Sequence, residues 1–489
     1  MKKKDKNFYI TTSIAYTNAL PHLGFVLESI QADVLARYYR LKGQSVWFLT
    51  GTDEHGLKIE RAAKENGIKP KQFVNQLAGE YRRIKKAFNL SWDDFIRTSD
   101  KKKHWPGALK LFSALQVKGD VYLKNYRGLY CVGCESFINE RDLVDGECFF
   151  HRRRPEIIED KNFFFRLSRY QKQLKKIIGS EKYLILPEWR RNEILSFLEN
   201  DLEDLSISRS KKSLSWGIPI LGSDQVMYVW VDALSNYISA IGYGQKNQKS
   251  RRQFEKTWPA DIHCIGKDIS RFHAIIWPAM LISAGLPLPK KLLVHGFITV
   301  EGQKMSKSLG NVVDPLVLVK KYGTDPVRYY LLREIPSDED GDFSETNLRR
   351  RYEDDLANGL GNFVSRVSHL AAKEKIENYE VDRLIRLKIK EASEKIDRQT
   401  EKFKLHEAIS VIWDLIKFGD VYVNAKQPWK KNDPAVIKNL IGIVEGLSSL
   451  LYPFLPETAE KIGKLIIKKG KYLRVKKSSP LFPKLPLNS

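Results

Sequence analysis

Strand-like and helix-like segments alternate through the first third of the chain, stop near Gly119, resume at Met227 and give way after Asp325 to an almost wholly helical pattern. Few architectures accept that order. Phe8–Ile14 and Ser45–Leu49 are short apolar runs suited to buried parallel strands. Leu23–Leu41, between them, has helical spacing with Leu27, Ile30, Val34 and Tyr38 on one face. Met227–Val231, Ile262–Ile265 and Leu292–Val300 read as strands and Arg271–Ala284 as a helix, so a second half-sheet completes the first. The pattern predicts an α/β chain: a Rossmann-like, doubly wound parallel sheet split by an insertion and followed by an all-α helical bundle. The boundaries that follow are 1–116 for the first half of the sheet domain, 117–222 for the insertion and 223–324 for the second half. Residues 325–350 form a linking segment with an acidic stretch at Asp338–Asp342, and 351–489 form the bundle, broken at Pro428, Pro453 and Pro456.

At 489 residues the chain exceeds one compact core, and 42% hydrophobic with 29% charged residues is the composition of a folded protein. A formal net charge of +24 favours a polyanionic partner. The opening M-K-K-K-D-K is basic, but Phe8 to Ala19 is interrupted by polar residues. No run approaches the roughly 20 apolar residues that span a bilayer. A cytoplasmic protein without a membrane partner is expected.

Three of the four cysteines gather with one histidine as Cys131-x2-Cys134-x13-Cys148-x2-His151, while Cys264 stands apart. Two close pairs joined by a loop suit a tetrahedral Cys3His zinc site, and four protein ligands make the ion structural.

Two strings suit phosphate chemistry. In P-H-L-G-F at 21–25 a helix opens at His22 or Leu23, and a helix start offers unpaired N–H donors to an anion. Gly24 would let a flat base approach the backbone, and His22 would donate to a phosphate oxygen; an ordinary helix start explains the string equally well. In G-Q-K-M-S-K-S-L-G-N, Lys304 and Lys307 sit in a glycine-bracketed loop, where two ammonium groups can follow charge onto a departing pyrophosphate. Asp53, in G-T-D-E-H-G at 51–56, stands at the carboxyl edge of the sheet as a partner for an ammonium group or as a turn cap. Asn362 and Arg366 share a helical face and Trp429 follows Pro428; spacing alone suits a buried Trp and a surface Arg better than an RNA contact.

Taken together, T-T-S-I-A-Y-T-N-A-L-P-H-L-G, L-T-G-T-D-E-H-G, Y-V-W-V-D-A-L, I-G-K-D-I-S-R-F-H, K-M-S-K-S and N-A-K-Q-P-W resemble the class I aminoacyl-tRNA synthetases, and among them the methionyl family, over nearly the whole chain. The resemblance implies methionine activation by ATP and Mg2+, then transfer to tRNA(Met). It assigns Asp53 to the amino group of methionine, with Ile14, Tyr16, Trp230, Ala233, Tyr237 and His273 around its side chain. Gly266, Asp268, His295 and Ile298 are implied to hold adenosine, with His22, Gly24, Lys304, Ser306 and Lys307 on the phosphates. His22, Lys304 and Lys307 become the catalytic groups, with Arg209 as an aid. Asn362, Arg366 and Trp429 become anticodon contacts, and the cysteine cluster matches a zinc knuckle in some relatives.

Two departures stand out. Phe25 replaces the family's second histidine and cannot donate to phosphate, which leaves a catalytically silent tRNA-binding relative as the competing reading. Ala15 stands where some relatives have proline, which predicts a looser pocket wall. After the bundle the sequence has no oligonucleotide-binding domain of the kind that drives dimerisation in some relatives, so a monomer is expected.

Overall fold

The computed structural model describes residues 6–485 apart from 133–135, 139, 141–142, 150–151, 301, 305–311, 375, 378, 432 and 471. The chain divides into two compact units, the first of Met1–Pro21, Lys42–Arg83 and Trp92–Val294, the second of His22–Leu41, Ile84–Ser91 and His295–Ser489.

Among the described residues the main sheet has seven strands: β1 (Phe8–Thr12), β2 (Ala15–Tyr16), β3 (Val46–Asp53), β4 (Asp94–Arg97), β5 (Leu184–Leu186), β6 (Ile262–Gly266) and β7 (Lys291–His295). Their order is β5-β7-β6-β1-β3-β2, with β4 also on β3. The pairs β1–β6, β1–β3, β2–β3, β3–β4 and β5–β7 run parallel. Continuous apolar runs form these strands because both faces of such a sheet are covered. Strand order reverses between β1 and β6, where Thr12 lies opposite Cys264, and open sheets of this kind bind ligands at the carboxyl ends of the strands flanking the reversal. Ile14 follows β1 there, and Gly266 ends β6.

Several elements differ from the sequence reading. The first strand stops at Thr12, and the run expected at Ser45–Leu49 belongs to a longer strand, Val46–Asp53. Met227–Val231 is not one strand: Gln225–Met227 is extended, and Val229–Leu234 is a short helix. An apolar run of this length fits either period, and only tertiary packing separates them. Leu292–Val300 breaks into β7 and a strand Ile298–Val300 that pairs in parallel with Gly341–Phe343, so part of the acidic stretch is also extended. Gly296 marks the break, since a Cβ there would lie 2.1 Å from the Glu339 carbonyl oxygen. Arg271–Ala284 is helical, opening with a wide turn at Phe272–Ile276 before Trp277–Ser283.

A second, antiparallel sheet begins just after Gly119. Val121–Cys131 pairs antiparallel with Glu156–Phe165 over ten residue pairs, and Leu205–Ser206 and Ser136–Ile138 extend this second sheet.

In the second unit the helix Leu23–Leu41 has the expected bounds, but burial covers nearly every residue from Leu23 to Tyr38 rather than one face. Of its buried charged groups, Asp33 is paired inside this unit. Asp33 accepts from Arg37 at 2.8 Å, from Arg328 at 2.9 Å and from the amide and hydroxyl of Ser91 at 2.7 and 2.6 Å. Arg328 also donates to the carbonyls of Phe88, Pro453 and Phe454. The bundle itself holds Arg383–Glu401, Leu405–Lys426, Pro434–Leu451 and Pro456–Gly463. Pro434–Leu451 is long and apolar enough to cross a membrane by length and composition, contrary to the sequence reading, but 56% of it is buried among the neighbouring helices, as in a core helix. The region is also not wholly helical, because Ile376–Glu377, Tyr472–Val475 and Ile466–Lys469 form a small sheet. Y-L-R-V alternates exposed and buried residues, and with a positive-φ Gly470 between the two strands the last two form a hairpin.

Candidate functional site

In the first unit β3 carries Asp53 to the edge of the sheet, and Tyr16 of β2 lies opposite it in register. The Asp53 carbonyl accepts from the amide and hydroxyl of Thr17 at 3.0 and 2.9 Å, which ties the β2 turn to the strand end. Its carboxylate is 3.4 Å from the Thr98 hydroxyl, and the residue is 7% exposed. The next residue, Glu54, is buried and held by Arg97 at 2.6 and 2.9 Å, so the strand end has little freedom.

The short helix Val229–Leu234 carries Trp230 and Ala233, and Tyr237 follows in the next turn. Trp230 stacks on Phe272, with ring centroids 3.7 Å apart and planes 11° from parallel. The adjacent His273 donates from Nδ1 to the Ile269 carbonyl at 3.0 Å, which leaves Nε2 to accept the Tyr237 hydroxyl at 2.8 Å. Tyr237 is held at its other end as well, its carbonyl accepting the Tyr9 hydroxyl at 2.8 Å. Beneath it lies His263, 4.2 Å between ring centroids, bonded to Thr11 and Trp277. Burial first, and then the neighbouring His273, push the His263 pKa well below its usual value, so the ring is neutral at neutral pH. Ile14, Tyr16 and Trp230 are partly buried against the same core that contains Tyr237. The result is an aromatic, mostly apolar wall beside one carboxylate, a chemistry suited to a small zwitterion with an apolar or thioether side chain.

Sequence reasoning missed a neighbouring network. Asp232, fully buried between Val231 and Ala233, accepts from His55 Nδ1 and His104 Nε2, each at 2.6 Å. Burial pushes the Asp232 pKa up, but the two imidazoles outweigh it and hold the carboxyl below the usual carboxylate range. A signal was present in V-W-V-D-A-L: a carboxylate inside an apolar run demands a buried partner.

The residues expected to hold the nucleotide are described unit by unit. In the first, Gly266 ends β6 and Asp268 lies in the turn Lys267–Ile269. Arg209 is 4% exposed, its guanidinium over the rings of Tyr130 and Tyr228 and bonded to the Ser208 carbonyl and the Ser206 hydroxyl. In the second unit, His22 is exposed just before the helix Leu23–Leu41, and its Nδ1 accepts the Gly24 amide at 3.0 Å. That bond places the ring proton on Nε2. Phe25 is buried within the helix, and Ile298 opens its strand almost fully buried. His295 uses both ring nitrogens, Nδ1 to the Gly296 carbonyl at 2.7 Å and Nε2 to Glu28 at 2.9 Å. Lys304 is paired with Thr299 through the backbone; its side chain, Ser306 and Lys307 lie outside the described residues.

Of the four expected zinc ligands, Cys134 and His151 lie outside the described residues. Cys131 ends a long strand and Cys148 ends a hairpin; both are buried, at 3% and 2% exposure. The Cys148 carbonyl accepts from the Arg152 amide, and the Cys148 amide donates to the Arg153 carbonyl. Two buried thiols at the closed ends of hairpins suit a structural ion. Among the described residues no group of three metal-binding side chains gathers.

In the helical region Arg366 and Trp429 border one groove of about 710 Å3, with His369, Lys373, Asn424 and Lys477. Trp429 is half exposed, and Arg366 donates to Asn424 at 3.0 Å. Asn362 is exposed one turn earlier on the Arg366 helix. A half-exposed indole beside several cations can stack on an unpaired base.

A family profile described as tRNA synthetases class I (M) matches residues 8–150 and 140–368, and one described as the anticodon-binding domain of tRNA ligase matches 382–485. A methionine-tRNA ligase of Clostridium acetobutylicum is 44% identical over 479 residues, 94% of this chain and 73% of the relative. One from Thermotoga maritima is 42% identical over 93% of this chain and 74% of its own length. The solved structure of Mycobacterium tuberculosis methionyl-tRNA synthetase in complex with methionyl-adenylate matches with a TM-score of 0.91 and 37% identity, covering 98% of this chain and 100% of that one.

Proposed function

This chain belongs to the class I tRNA synthetases of the methionyl family, and from that membership we propose that it is a methionine-tRNA ligase. It joins L-methionine to ATP as methionyl-adenylate with release of pyrophosphate, then passes methionine to the 3′ end of tRNA(Met). The observation that carries this reading is the match over 98% of the chain to a synthetase holding methionyl-adenylate.

In the first step the methionine carboxylate attacks the α-phosphorus of ATP, taken as its magnesium complex. No protein nucleophile is needed, and catalysis is placement plus charge stabilisation. Asp53 pairs with the methionine ammonium. Ile14, Tyr16, Trp230, Ala233, Tyr237 and His273 surround the thioether, with the Tyr237 hydroxyl directed by the acceptor nitrogen of His273. Gly266, Asp268, His295 and Ile298 hold adenosine. His22 donates from Nε2 to phosphate, while Lys304, Ser306 and Lys307 follow charge onto pyrophosphate. Methionine then passes to the terminal ribose hydroxyl of a tRNA whose anticodon contacts Asn362, Arg366 and Trp429.

Cys131, Cys134, Cys148 and His151 would hold one structural zinc, which would tie the tips of the insertion together. A monomeric, cytoplasmic enzyme completes the reading, with light scattering as the test of the first and cell fractionation of the second. Amino-acid-dependent ATP–pyrophosphate exchange tests the whole. Exchange driven by methionine and by no other standard amino acid at comparable concentration supports it; no exchange above background leaves a tRNA-binding protein instead.

A further inference from the structure

We propose that Asp232, His55 and His104 are positioning residues that set the distance between the two walls of the amino-acid pocket. The inference rests on the pocket reading above. Asp232 sits on the turn of helix that carries Trp230 and Ala233, and His55 is two residues beyond Asp53. Each carboxylate oxygen takes one imidazole at 2.6 Å, and the three side chains are at most 2% exposed. The bond from His55 therefore spans directly from the segment bearing the ammonium partner to the segment bearing the side-chain wall.

The third member fixes the other two. His104 immediately precedes the helix Trp105–Val117, and its Nδ1 bonds to the Ser239 hydroxyl at 2.8 Å, two residues past Tyr237. His55 is flanked by the rings of Trp105 and Trp216 at 6.1 and 5.2 Å. Both oxygens of Asp232 and both nitrogens of His104 are thus committed to partners on separate segments.

Burying a charge is unfavourable, and well-packed apolar side chains stabilise such a position as well or better. What a hydrogen-bonded carboxylate adds is direction: it holds its partners within a narrow range of distance and angle that apolar contact does not impose. At this place the constraint acts on the spacing between Asp53 and the Trp230 helix, and so on the fit of a ligand that must reach both.

The test is pyrophosphate exchange on the full-length enzyme, with the KM for methionine and for ATP measured separately, alongside thermal unfolding. Asp232→Asn and His104→Gln are expected to raise the methionine KM about tenfold or more while the ATP KM stays within about twofold. Asp232→Leu is expected to keep the methionine KM high even where the unfolding temperature returns to wild type. Recovery of both together in Asp232→Leu means packing alone and overturns the proposal, as does a parallel change in both KM values. If Asp232→Asn does not fold, His104→Gln, which replaces one of the two imidazole donors by a flexible amide, is read the same way. Asp53→Asn separates the two layers: an unchanged methionine KM there overturns the pocket reading and this proposal with it. A raised KM in Asp53→Asn with none in Asp232→Asn overturns this proposal alone.

Discussion

The amide of Gly24 donates to Nδ1 of His22 across 3.0 Å, so the imidazole folds back over the start of its own helix. A Cβ at position 24 would lie 2.8 Å from Cε1 and 3.0 Å from Nδ1 of that ring. Gly24 therefore leaves room for the His22 ring in this pose. Gly24→Ala is expected to push the exposed ring aside at small cost to folding and to lower kcat for pyrophosphate exchange by about tenfold to a hundredfold. Wild-type kcat in the variant would separate the His22 pose from the chemistry.

Trp230 lies flat on Phe272, and truncating it opens the apolar wall. Trp230→Ala is expected to raise the methionine KM by about tenfold to two-hundredfold, the range for lost contacts in an apolar pocket, and to leave the ATP KM nearly unchanged. Steady-state exchange with each substrate varied in turn checks it. An unchanged methionine KM removes Trp230 from the pocket.

Trp429 is half exposed, so its removal should disturb RNA binding more than folding. Trp429→Ala is expected to lose about 1–3 kcal/mol of base stacking, seen as a higher tRNA KM in aminoacylation with exchange intact. Equal loss in both assays would make Trp429 a structural residue.

Asp33 and Arg328 form a fully buried ion pair at 2.9 Å. Burial pushes the Asp33 pKa up, but Arg328 and then Arg37 outweigh it and hold the carboxyl below its usual value. A depressed folded-state pKa binds fewer protons in the folded than in the unfolded protein. Its stabilisation is present above the unfolded value of about 3.9 and is lost as pH falls through the lower folded value. Arg328→Met, which leaves the buried carboxylate without its main partner, is expected to cost about 3–5 kcal/mol. Asp33→Asn should flatten the acid limb of stability. Urea unfolding at several pH values tests both, and an acid limb unchanged in Asp33→Asn would rule out this linkage.

For the zinc site, elemental analysis of the purified chain is expected to find about one zinc per molecule, and Cys148→Ser to lower it. A value well under one in the wild type removes the site.

Much of the fold was legible because its signals are local. The helix Leu23–Leu41 was read to its bounds, and β6 was read to within one residue, since a helical period and a short apolar run are written in neighbouring side chains. Val229–Leu234 was not, because five apolar residues and one aspartate in six positions fit either period until tertiary packing chooses one. The hairpin of Ile466–Lys469 and Tyr472–Val475 was missed for a related reason: short lysine-rich segments beside a run of helices resemble a frayed helix end.

Residue order by itself carries the proposed chemistry: the phosphate strings, the carboxylate at the end of β3, the paired cysteines and the helical face shared by Asn362 and Arg366. Each depends on residue type and short spacing, which folding does not alter. Tertiary structure alone decided which buried groups meet. Asp232 finds His55 from 177 positions away and His104 from 128, and Asp33 finds Arg328 from 295. A hydrogen bond is lost over a displacement of less than an ångström or so, and placement that fine comes from the packing of whole segments, which no short stretch of sequence contains.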